Sequence, residues 1–275
     1  MSNKLSVYGS TGFIGSNFCQ LYDCEEIERD ERKPLSSEII YLISTTHNYN
    51  VLNNSFIDID TNLCVLMETL DACRSSNIKT FNFISSWFVY GDTTLPASEI
   101  SYCNPKGFYS ITKRCAEQLL ISYCQTFDLD YRILRLGNVY GKTDQNASKK
   151  RNALQYLINR LKNNHDISLY DEGKFYRNFM HVTDVCRAIK KICDAGEKNE
   201  IYNIGSMNSY LFKDIIQIAV EKLQSNSRIT SMDPPGFHKI VQVRDMKLDT
   251  RKLYNLGFEE TILIKNGIEE LCEEF

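Results

Sequence analysis

The segment Gly9-Ser10-Thr11-Gly12-Phe13-Ile14-Gly15 directly follows an apolar run, Leu5–Tyr8, and leads into a helical pattern. This order predicts a strand, a tight turn and a helix N-terminus, where backbone amides and the helix dipole attract a diphosphate. Glycine suits the turn because a β-carbon would hold the diphosphate away from those amides. We therefore predict a dinucleotide site at the following residues: Gly9, Thr11, Gly12, Phe13, Ile14 and Gly15.

Composition limits the classes of function. The chain has 275 residues, of which 43% are hydrophobic and 24% charged, and its net charge of −3 gives no basic field for nucleic acid. The first strand begins by residue 4, which leaves no room for a signal peptide, and no apolar run approaches the roughly 18 residues of a membrane span. We expect a cytoplasmic protein that binds neither nucleic acid nor membrane.

The ten cysteines are scattered from Cys19 to Cys272 without a Cys-x-x-Cys pair. Several, such as Cys64, Cys73 and Cys115, occupy apolar positions of predicted helices. We expect buried thiols in a reducing compartment, with no disulfide framework and no metal site.

Short apolar runs alternate with amphipathic helices, which predicts an α/β fold with a doubly wound parallel sheet. The predicted strands are Glu38–Ser44, Thr80–Ser85, Tyr131–Leu136 and Ile201–Ile204. Two helices are predicted to turn apolar stripes inward, one with Ile59, Leu63, Leu66, Met67, Leu70 and Cys73, the other with Cys115, Ala116, Leu119, Leu120 and Tyr123. Thr183 is predicted to cap a further helix.

Composition changes after Gly141, where a polar loop over residues 142–152 precedes shorter elements. We predict a dinucleotide-binding domain over 1–145, to which the chain returns at about 178–207. Residues 146–275 are predicted to form mostly a smaller C-terminal substrate-binding lobe.

The second strand has little room, because only residues 24–37 separate the first helix from the strand at Glu38. An acidic residue after this strand binds the adenosine ribose of NAD, whereas a cation accepts the 2′-phosphate of NADP. Glu28, Arg29 and Asp30 offer both, so the sequence leaves NAD and NADP open.

Three Tyr-x-x-x-Lys pairs occur, Tyr102/Lys106, Tyr109/Lys113 and Tyr170/Lys174, but only the second opens a long amphipathic helix. A phenol with a pKa near 10 is a poor base at neutral pH. One cation about 4 Å away supplies about 4 kcal/mol at an effective dielectric near 20, enough to bring that pKa to about 7. We therefore expect Lys113 to lower the pKa of Tyr109. Ser86, where a strand ends in hydroxyls, is predicted to hydrogen-bond a substrate oxygen.

These motifs, in this order, resemble the extended short-chain dehydrogenase/reductase family: Gly9/Gly12/Gly15, Ser85-Ser86 with Val89-Tyr90-Gly91, Tyr109-x-x-x-Lys113 and Asn138-Val139-Tyr140-Gly141. Within it the chain is similar to the NAD-dependent nucleotide-sugar epimerases and dehydratases. The resemblance implies NAD or NADP as cofactor, with Ser44, Thr45, Ser85, Tyr109 and Lys113 completing its site. It also implies a catalytic triad of Ser86, Tyr109 and Lys113, with Tyr109 as acid/base on a sugar hydroxyl.

The resemblance further implies a nucleoside-diphosphate sugar as the partner. Its predicted contacts are Ser86, Trp87, Phe88, Asn138, Asn152, Ala153, Tyr170, Arg177 and Arg244. Arg177 suits a diphosphate by its fork of donors and its permanent charge. His181 matches a family position, where we expect a structural role. Homodimerisation through the helices around residues 59–75 and 109–125 is also a family-based expectation.

One departure from the family pattern limits the type of reaction that we predict. Where 4,6-dehydratases of the family carry Asp and Glu for water elimination, this chain has Trp87 and Phe88. Dehydration is therefore disfavoured, and oxidation or reduction at a sugar carbon, C4 in our prediction, remains. The leading hypothesis is an epimerase that works through a transient ketone. The alternatives are an NAD(P)H-dependent 4-keto-sugar reductase, similar in its Lys247–Lys252 segment, and a non-catalytic nucleotide-binding regulator.

Overall fold

The computed structural model describes residues 4–142, 144 and 152–274, so most of the predicted loop over residues 142–152 lies outside the described residues. The strands are β1 Ser6–Tyr8, β2 Glu25–Ile27, β3 Glu38–Tyr41, β4 Thr80–Ser86, β5 Asp130–Leu136, β6 Asn138–Tyr140, β7 Ile167–Tyr170, β8 Tyr176–Arg177, β9 Phe179–His181, β10 Glu200–Ile204, β11 Tyr210–Leu211 and β12 Ile229–Met232. The helices are α1 Phe13–Leu21, α2 Ile57–Ile59, α3 Val65–Ser75, α4 Phe108–Thr126, α5 Ala153–Lys162, α6 Val182–Ala195, α7 Phe212–Leu223, α8 Gly236–Val241, α9 Arg251–Tyr254 and α10 Ile264–Glu274.

Six of the described strands form one parallel sheet in the order β2-β1-β3-β4-β5-β10, which confirms the α/β class with a doubly wound parallel sheet. The order reverses between β1 and β3. In open α/β sheets ligands bind at the carboxyl ends of the strands beside such a reversal. The sheet ends at β2, which has only three residues, as the short segment before Glu38 predicted.

Successive side chains of each strand point to opposite faces of the sheet, so both faces are apolar, and helices cover both of them. One face packs on α1 and α6, and the other on α3 and α4. The first cluster holds Val7, Ile40, Ile84 and Leu134, and the second holds Tyr8, Ile39, Tyr41, Phe83 and Ile133. This double burial explains why the strands read as continuous apolar runs.

The predicted helical stripes are partly wrong. Leu66, Leu70 and Cys73 are buried, but Ile59 is 37% exposed and Cys64 is exposed. A π-helical turn, Asp60–Cys64, lies between α2 and α3 and shifts the phase of the residues before it. On α4, Leu120 is fully buried while Leu119 is 37% exposed, because adjacent helical positions lie about 100° apart and cannot both face the sheet.

The cap predicted for α6 is also wrong by two positions. The helix begins at Val182, and its N-cap is His181, whose Nδ1 accepts a hydrogen bond from the backbone N–H of Thr183 at 3.3 Å. An imidazole nitrogen thereby takes the role that the Thr183 hydroxyl was expected to fill. His181 is buried and does not line the main cavity. Its contacts agree with the predicted structural role.

The C-terminal part adds three two-stranded sheets, β6 with β9, β7 with β12, and β8 with β11. A further apolar cluster joins α5, α7 and α10 to β7. β10 returns to the main sheet beside β5. The division into two domains near residue 145 stays a prediction. Within the described part of the chain, each helix is too short or too polar to cross a bilayer.

Candidate active site

A cavity of about 1290 Å³ opens at the carboxyl ends of β1, β3, β4 and β5. It exceeds the 300–1,000 Å³ typical of a site for one small ligand. All but two of the predicted site residues line it. The cofactor-side residues are Gly9, Thr11, Gly12, Phe13, Ile14, Gly15, Arg29, Ser44, Thr45 and Ser85, and the others are Ser86, Trp87, Phe88, Tyr109, Lys113, Asn138, Asn152, Ala153, Tyr170, Arg177 and Arg244.

The glycine turn has the shape that a diphosphate requires. A β-carbon on Gly15 would lie 2.2 Å from the carbonyl oxygen of Gly9, and Gly9 itself has φ of +80°. Gly12 is the N-cap of α1, and no side chain caps the amides of that helix. The helix N-terminus therefore faces the cavity with its positive dipole end available to an anion. The turn fits the diphosphate of a dinucleotide.

Ser86 lies where β4 ends and a 3₁₀ turn over Trp87–Val89 begins. Its Oγ accepts a hydrogen bond from the backbone N–H of Phe88 at 3.3 Å, and its hydroxyl lowers the pKa of the Tyr109 phenol. Tyr109 is in the first turn of α4 and Lys113 is one turn later. The structure thus brings the three predicted catalytic residues together, although their roles stay predictions.

The pKa of the Tyr109 phenol is higher than we predicted from the sequence. Burial raises its pKa to about 12, the hydrogen bond from Ser86 lowers it by less, and the negative charge of Asp58 raises it further. The charge of Lys113 does not contribute to this shift in the pKa of Tyr109. The predicted lowering of the Tyr109 pKa by Lys113 is therefore wrong for the protein alone, because the prediction omitted the cost of removing a phenolate from water.

Lys113 is 2% exposed, and its Nζ donates to the carbonyl oxygen of Ile84 at 2.6 Å and lies 4.1 Å from the centre of the Phe83 ring. Burial lowers the pKa of this ammonium to about 7, while the charge of Glu117 opposes the shift. Near neutral pH the side chain is therefore charged in only part of the molecules. Its proton is available for exchange close to the operating pH.

Glu117, one turn beyond Lys113, is fully buried and accepts several charge-assisted hydrogen bonds. Its Oε1 accepts from Ser85 Oγ at 2.6 Å and from Arg135 Nε at 2.9 Å, and its Oε2 accepts from Arg135 Nη2 and Arg114 Nη1, each at 2.8 Å. These bonds outweigh burial and lower the pKa of the Glu117 carboxyl. The cofactor-side residue Ser85 is thereby fixed beside Ser86.

The structure distinguishes the three residues after β2, Glu28, Arg29 and Asp30, which left the choice between NAD and NADP open in the sequence. Arg29 lines the cavity, whereas Glu28 and Asp30 are exposed and do not. Glu28 and Asp30 lie outside the lining of this cavity, so their place in the cofactor site stays a prediction. They follow a strand of only three residues, so the turn that carries them bends towards solvent.

Asn138 and Asn152 reach the cavity from the C-terminal part. Asn138 begins β6, and its Nδ2 donates to the carbonyl oxygen of Asn178 at 3.1 Å. Asn152 caps α5 in the left-handed conformation, with φ of +53°, and its Nδ2 donates to Asp144 Oδ2 at 3.0 Å. Ala153, the first residue of α5, is the small neighbour that leaves room for a ligand.

Arg177 lines the cavity, and its guanidinium hydrogen-bonds to backbone carbonyl oxygens of the protein. Its Nη1 donates to the carbonyl oxygens of Tyr176 and Arg244, and its Nη2 donates to that of Val243 at 3.2 Å. Burial lowers its pKa to about 10, so it remains cationic at neutral pH. Arg244 is more exposed, with Nη2 3.3 Å from the carbonyl oxygen of Lys174.

Sequence reasoning missed a contact across the mouth of the cavity. The hydroxyl of Tyr49, in the loop after β3, lies 2.6 Å from Nδ1 of His238 on α8. The ring of Tyr170 lies 4.7 Å from that of His238, and all three residues line the cavity. Burial, followed by the charge of Arg177, lowers the pKa of His238. No local pattern links residues 189 positions apart, so only the folded chain reveals this contact.

Comparisons with known proteins agree with this geometry. The model of the NAD dependent epimerase/dehydratase family matches residues 32–205. A dTDP-D-glucose 4,6-dehydratase of Dictyostelium discoideum is 29% identical over 73% of this chain and 49% of its own length. The chain therefore spans about half the length of that relative.

Solved structures share the fold at lower identity. A UDP-glucose 4-epimerase from Thermotoga maritima, solved with UDP-glucose, superimposes with a TM-score of 0.88 at 19% identity over 98% of both chains. RMD from Pseudomonas aeruginosa, solved with NADPH, gives a TM-score of 0.86 at 20% identity, over 99% of this chain and 98% of its own.

The buried ammonium of Lys113 predicts an unusual pH dependence of stability. Its pKa is about 7 when folded and near 10.4 when unfolded, so the unfolded chain binds more protons between these values and stability rises with pH. Replacing Lys113 by Met removes this contribution. We expect the free energy of unfolding of the wild type, relative to Lys113→Met, to rise by about 4 kcal/mol from pH 7 to pH 10.

Denaturant unfolding of both proteins without cofactor measures this difference. The control is Lys79→Met, which removes an exposed ammonium. Its difference from the wild type should stay constant across the same pH range. A constant difference for Lys113→Met as well would show that Lys113 keeps an ordinary pKa in the folded protein.

Proposed function

Because this chain belongs to the NAD dependent epimerase/dehydratase family, we propose that it is an NAD(P)-dependent enzyme acting on a nucleoside-diphosphate sugar. The proposed reaction is epimerisation at one sugar carbon, C4, through a transient ketone. Cofactor binding is assigned to residues 1–145 with the returning segment 178–207, and substrate binding mostly to 146–275.

One observation carries this proposal, namely that the glycine turn and Ser86, Tyr109 and Lys113 share one cavity. That cavity has room for a dinucleotide beside a second ligand. A non-catalytic regulator would need the turn, but it would not need a buried phenol and ammonium beside it. The relatives named above, one acting on dTDP-D-glucose and one solved with UDP-glucose, support a sugar nucleotide as the substrate class.

The protein groups divide the work of moving a proton and holding the substrate. Tyr109 takes the proton of the reacting hydroxyl and returns it, and Ser86 holds the same oxygen by hydrogen bonding. Lys113, one turn beyond Tyr109 and with a pKa of about 7, would offer a positive charge to the bound cofactor when protonated. Arg177 and Arg244 offer positive charge to a diphosphate, and the Gly9–Gly15 turn holds the cofactor diphosphate. The chemistry that a bound nicotinamide would supply is the reversible acceptance of a hydride.

A 4-keto-sugar reductase is the second candidate, favoured by the state of Tyr109. A phenol with a pKa of about 12 keeps its proton at neutral pH, which suits donation to a ketone oxygen. The second strand, β2, has only three residues, and we infer that this shortened adenosine region releases the cofactor readily between turnovers. Incubation with a panel of sugar nucleotides and their 4-keto forms separates the two reactions. An epimerase interconverts sugars without added cofactor, whereas a reductase consumes NADH or NADPH stoichiometrically.

Tyr109→Phe tests the catalytic assignment. Loss of the acid/base hydroxyl is expected to lower kcat by about 10²- to 10⁴-fold and to leave substrate affinity within about threefold. The control is Tyr102→Phe in a competing Tyr-x-x-x-Lys pair, where Tyr102 is 77% exposed and lies outside the cavity. This variant should keep full activity. Unchanged activity of Tyr109→Phe would favour the regulator instead.

Arg29 supports NADP(H) as the preferred cofactor, because it alone of the three candidates after β2 lines the cavity. A charge-assisted hydrogen bond contributes about 1.5–3 kcal/mol. Arg29→Ala is therefore expected to weaken NADPH binding about 10- to 100-fold and NADH binding less than threefold. Asp30→Ala, which changes an exposed neighbour, is the control. Fluorescence titration measures both affinities, and equal losses for the two cofactors would contradict the assignment.

We also propose a cytoplasmic homodimer that forms through the α2–α3 and α4 layer. Ile111, Cys115 and Leu119 form an outward stripe on α4, in which Ile111 is 51% and Leu119 37% exposed. Leu119→Glu would bury a charge in such an interface, and it is expected to convert the dimer to a monomer in sedimentation velocity. Gln118→Glu at the adjacent exposed position is the control, and a monomeric wild type would contradict the proposal.

A further inference from the structure

Phe88 is fixed at the reacting end of the cavity by three contacts. Its ring stacks on Trp87 with centroids 4.0 Å apart and an angle of 22°, and meets the ring of Tyr109 edge-on at 5.8 Å. Its backbone N–H donates to Ser86 Oγ at 3.3 Å. The phenyl ring is therefore held beside both groups that face the reacting oxygen.

The side of the cavity formed by Phe88 is apolar. Phe88 is half-buried and lines the cavity, and its side chain offers neither a donor nor an acceptor. Trp87, only 3% exposed, fills the space behind it together with Val89 and Met246. A ligand group that touches this ring therefore finds no polar partner on the ring, and water has little access from behind.

The geometry of a pyranose brings one ring substituent against Phe88. When the reacting oxygen reaches Tyr109 and Ser86, the substituents on the two neighbouring carbons lie within about 3 Å of the reacting carbon. Because Phe88 contacts both Tyr109 and Ser86, its ring borders the space that one of these substituents would enter. A hydroxyl that enters this space finds no hydrogen-bond partner on the ring, whereas a methyl or methylene gains apolar contact.

We propose that the substrate is a deoxy sugar nucleotide, with a carbon-bound hydrogen in place of the hydroxyl that would meet Phe88. For reaction at C4 the neighbours are C3 and C5, so the sugar lacks oxygen at position 3 or position 6. This inference rests on the proposed function, because it needs a sugar carbon at Tyr109. It makes Phe88 a specificity-determining residue.

The inference also places the reaction after a deoxygenation. A sugar hydroxyl on the carbon β to a carbonyl leaves as water when a base takes the proton of the α carbon between them and an acid protonates the leaving hydroxyl. Here the two side chains after Ser86 are Trp87 and Phe88, which can act as neither. A separate enzyme of the dehydratase class must therefore supply the substrate.

Matched sugars test the selection. Glucose, 3-deoxyglucose and 6-deoxyglucose, with the corresponding galacto sugars, are each presented as the UDP, dTDP, GDP and CDP derivative with NAD⁺ or NADP⁺. Their 4-keto forms are presented with NADPH. Epimerisation is read from the sugar products by NMR, and reduction of the 4-keto forms from the loss of NADPH absorbance. We expect one deoxy sugar to exceed its parent in kcat/KM by about 10- to 100-fold, the range over which an apolar pocket rejects an added hydroxyl.

Two variants of Phe88 separate its polarity from its bulk. Phe88→Leu keeps an apolar wall and should retain at least a tenfold preference for the deoxy sugar. Phe88→Thr offers a hydroxyl partner and should reduce the preference to within about threefold. Thermal unfolding of both variants checks that the fold is kept. The 3-deoxy and 6-deoxy arms identify which neighbouring carbon faces the ring.

The outcomes distinguish this inference from the function on which it rests. A wild type that transfers hydride equally well with the parent sugar, or a preference that Phe88→Thr leaves intact, would overturn the role of Phe88 and leave the enzyme assignment standing. Absence of turnover with every sugar would instead reject the proposed function, and the substrate inference would fall with it.

Discussion

The site depends on the buried ion pair between Glu117 and Arg135. Both side chains are almost fully buried, and their two hydrogen bonds join helix α4 to strand β5. The same carboxylate accepts from Ser85 at the end of β4 and opposes the loss of charge on Lys113 one turn earlier. One carboxylate therefore sets the distance between the helix that carries Tyr109 and the strand that carries Ser86. Removal of either partner would leave an uncompensated buried charge, which costs about 3–5 kcal/mol.

Around that pair, burial shifts Tyr109 and Lys113 towards their neutral forms. Burial favours the protonated phenol of Tyr109 and the uncharged amine of Lys113, and an uncharged pair is cheaper to bury than a phenolate beside an ammonium.

The sequence predicted features that local chemistry determines. The glycine turn, the strands at Thr80 and Tyr131 and the helix that starts at Tyr109 all follow from short-range patterns, and the structure has them with small changes of boundary. Predictions failed where the phase of a helix decides which side chains are buried, and where the loss of water around a group decides its pKa. The π-helical turn at Asp60 exposed Ile59, and desolvation reversed the expected shift at Tyr109. The bridge from Tyr49 to His238 joins distant segments, so no pattern in the sequence announces it.

The short outer strand β2 also bears on how the sheet ends. Edge strands expose unpaired backbone groups that can recruit strands of other chains, and charge on a short edge suppresses this. Here the edge is three residues long and carries Glu25 and Glu26, while Lys4 pairs with Asp23 at 2.8 Å beside it. The shortness of β2 thus leaves a border of the sheet too brief and too charged to template aggregation.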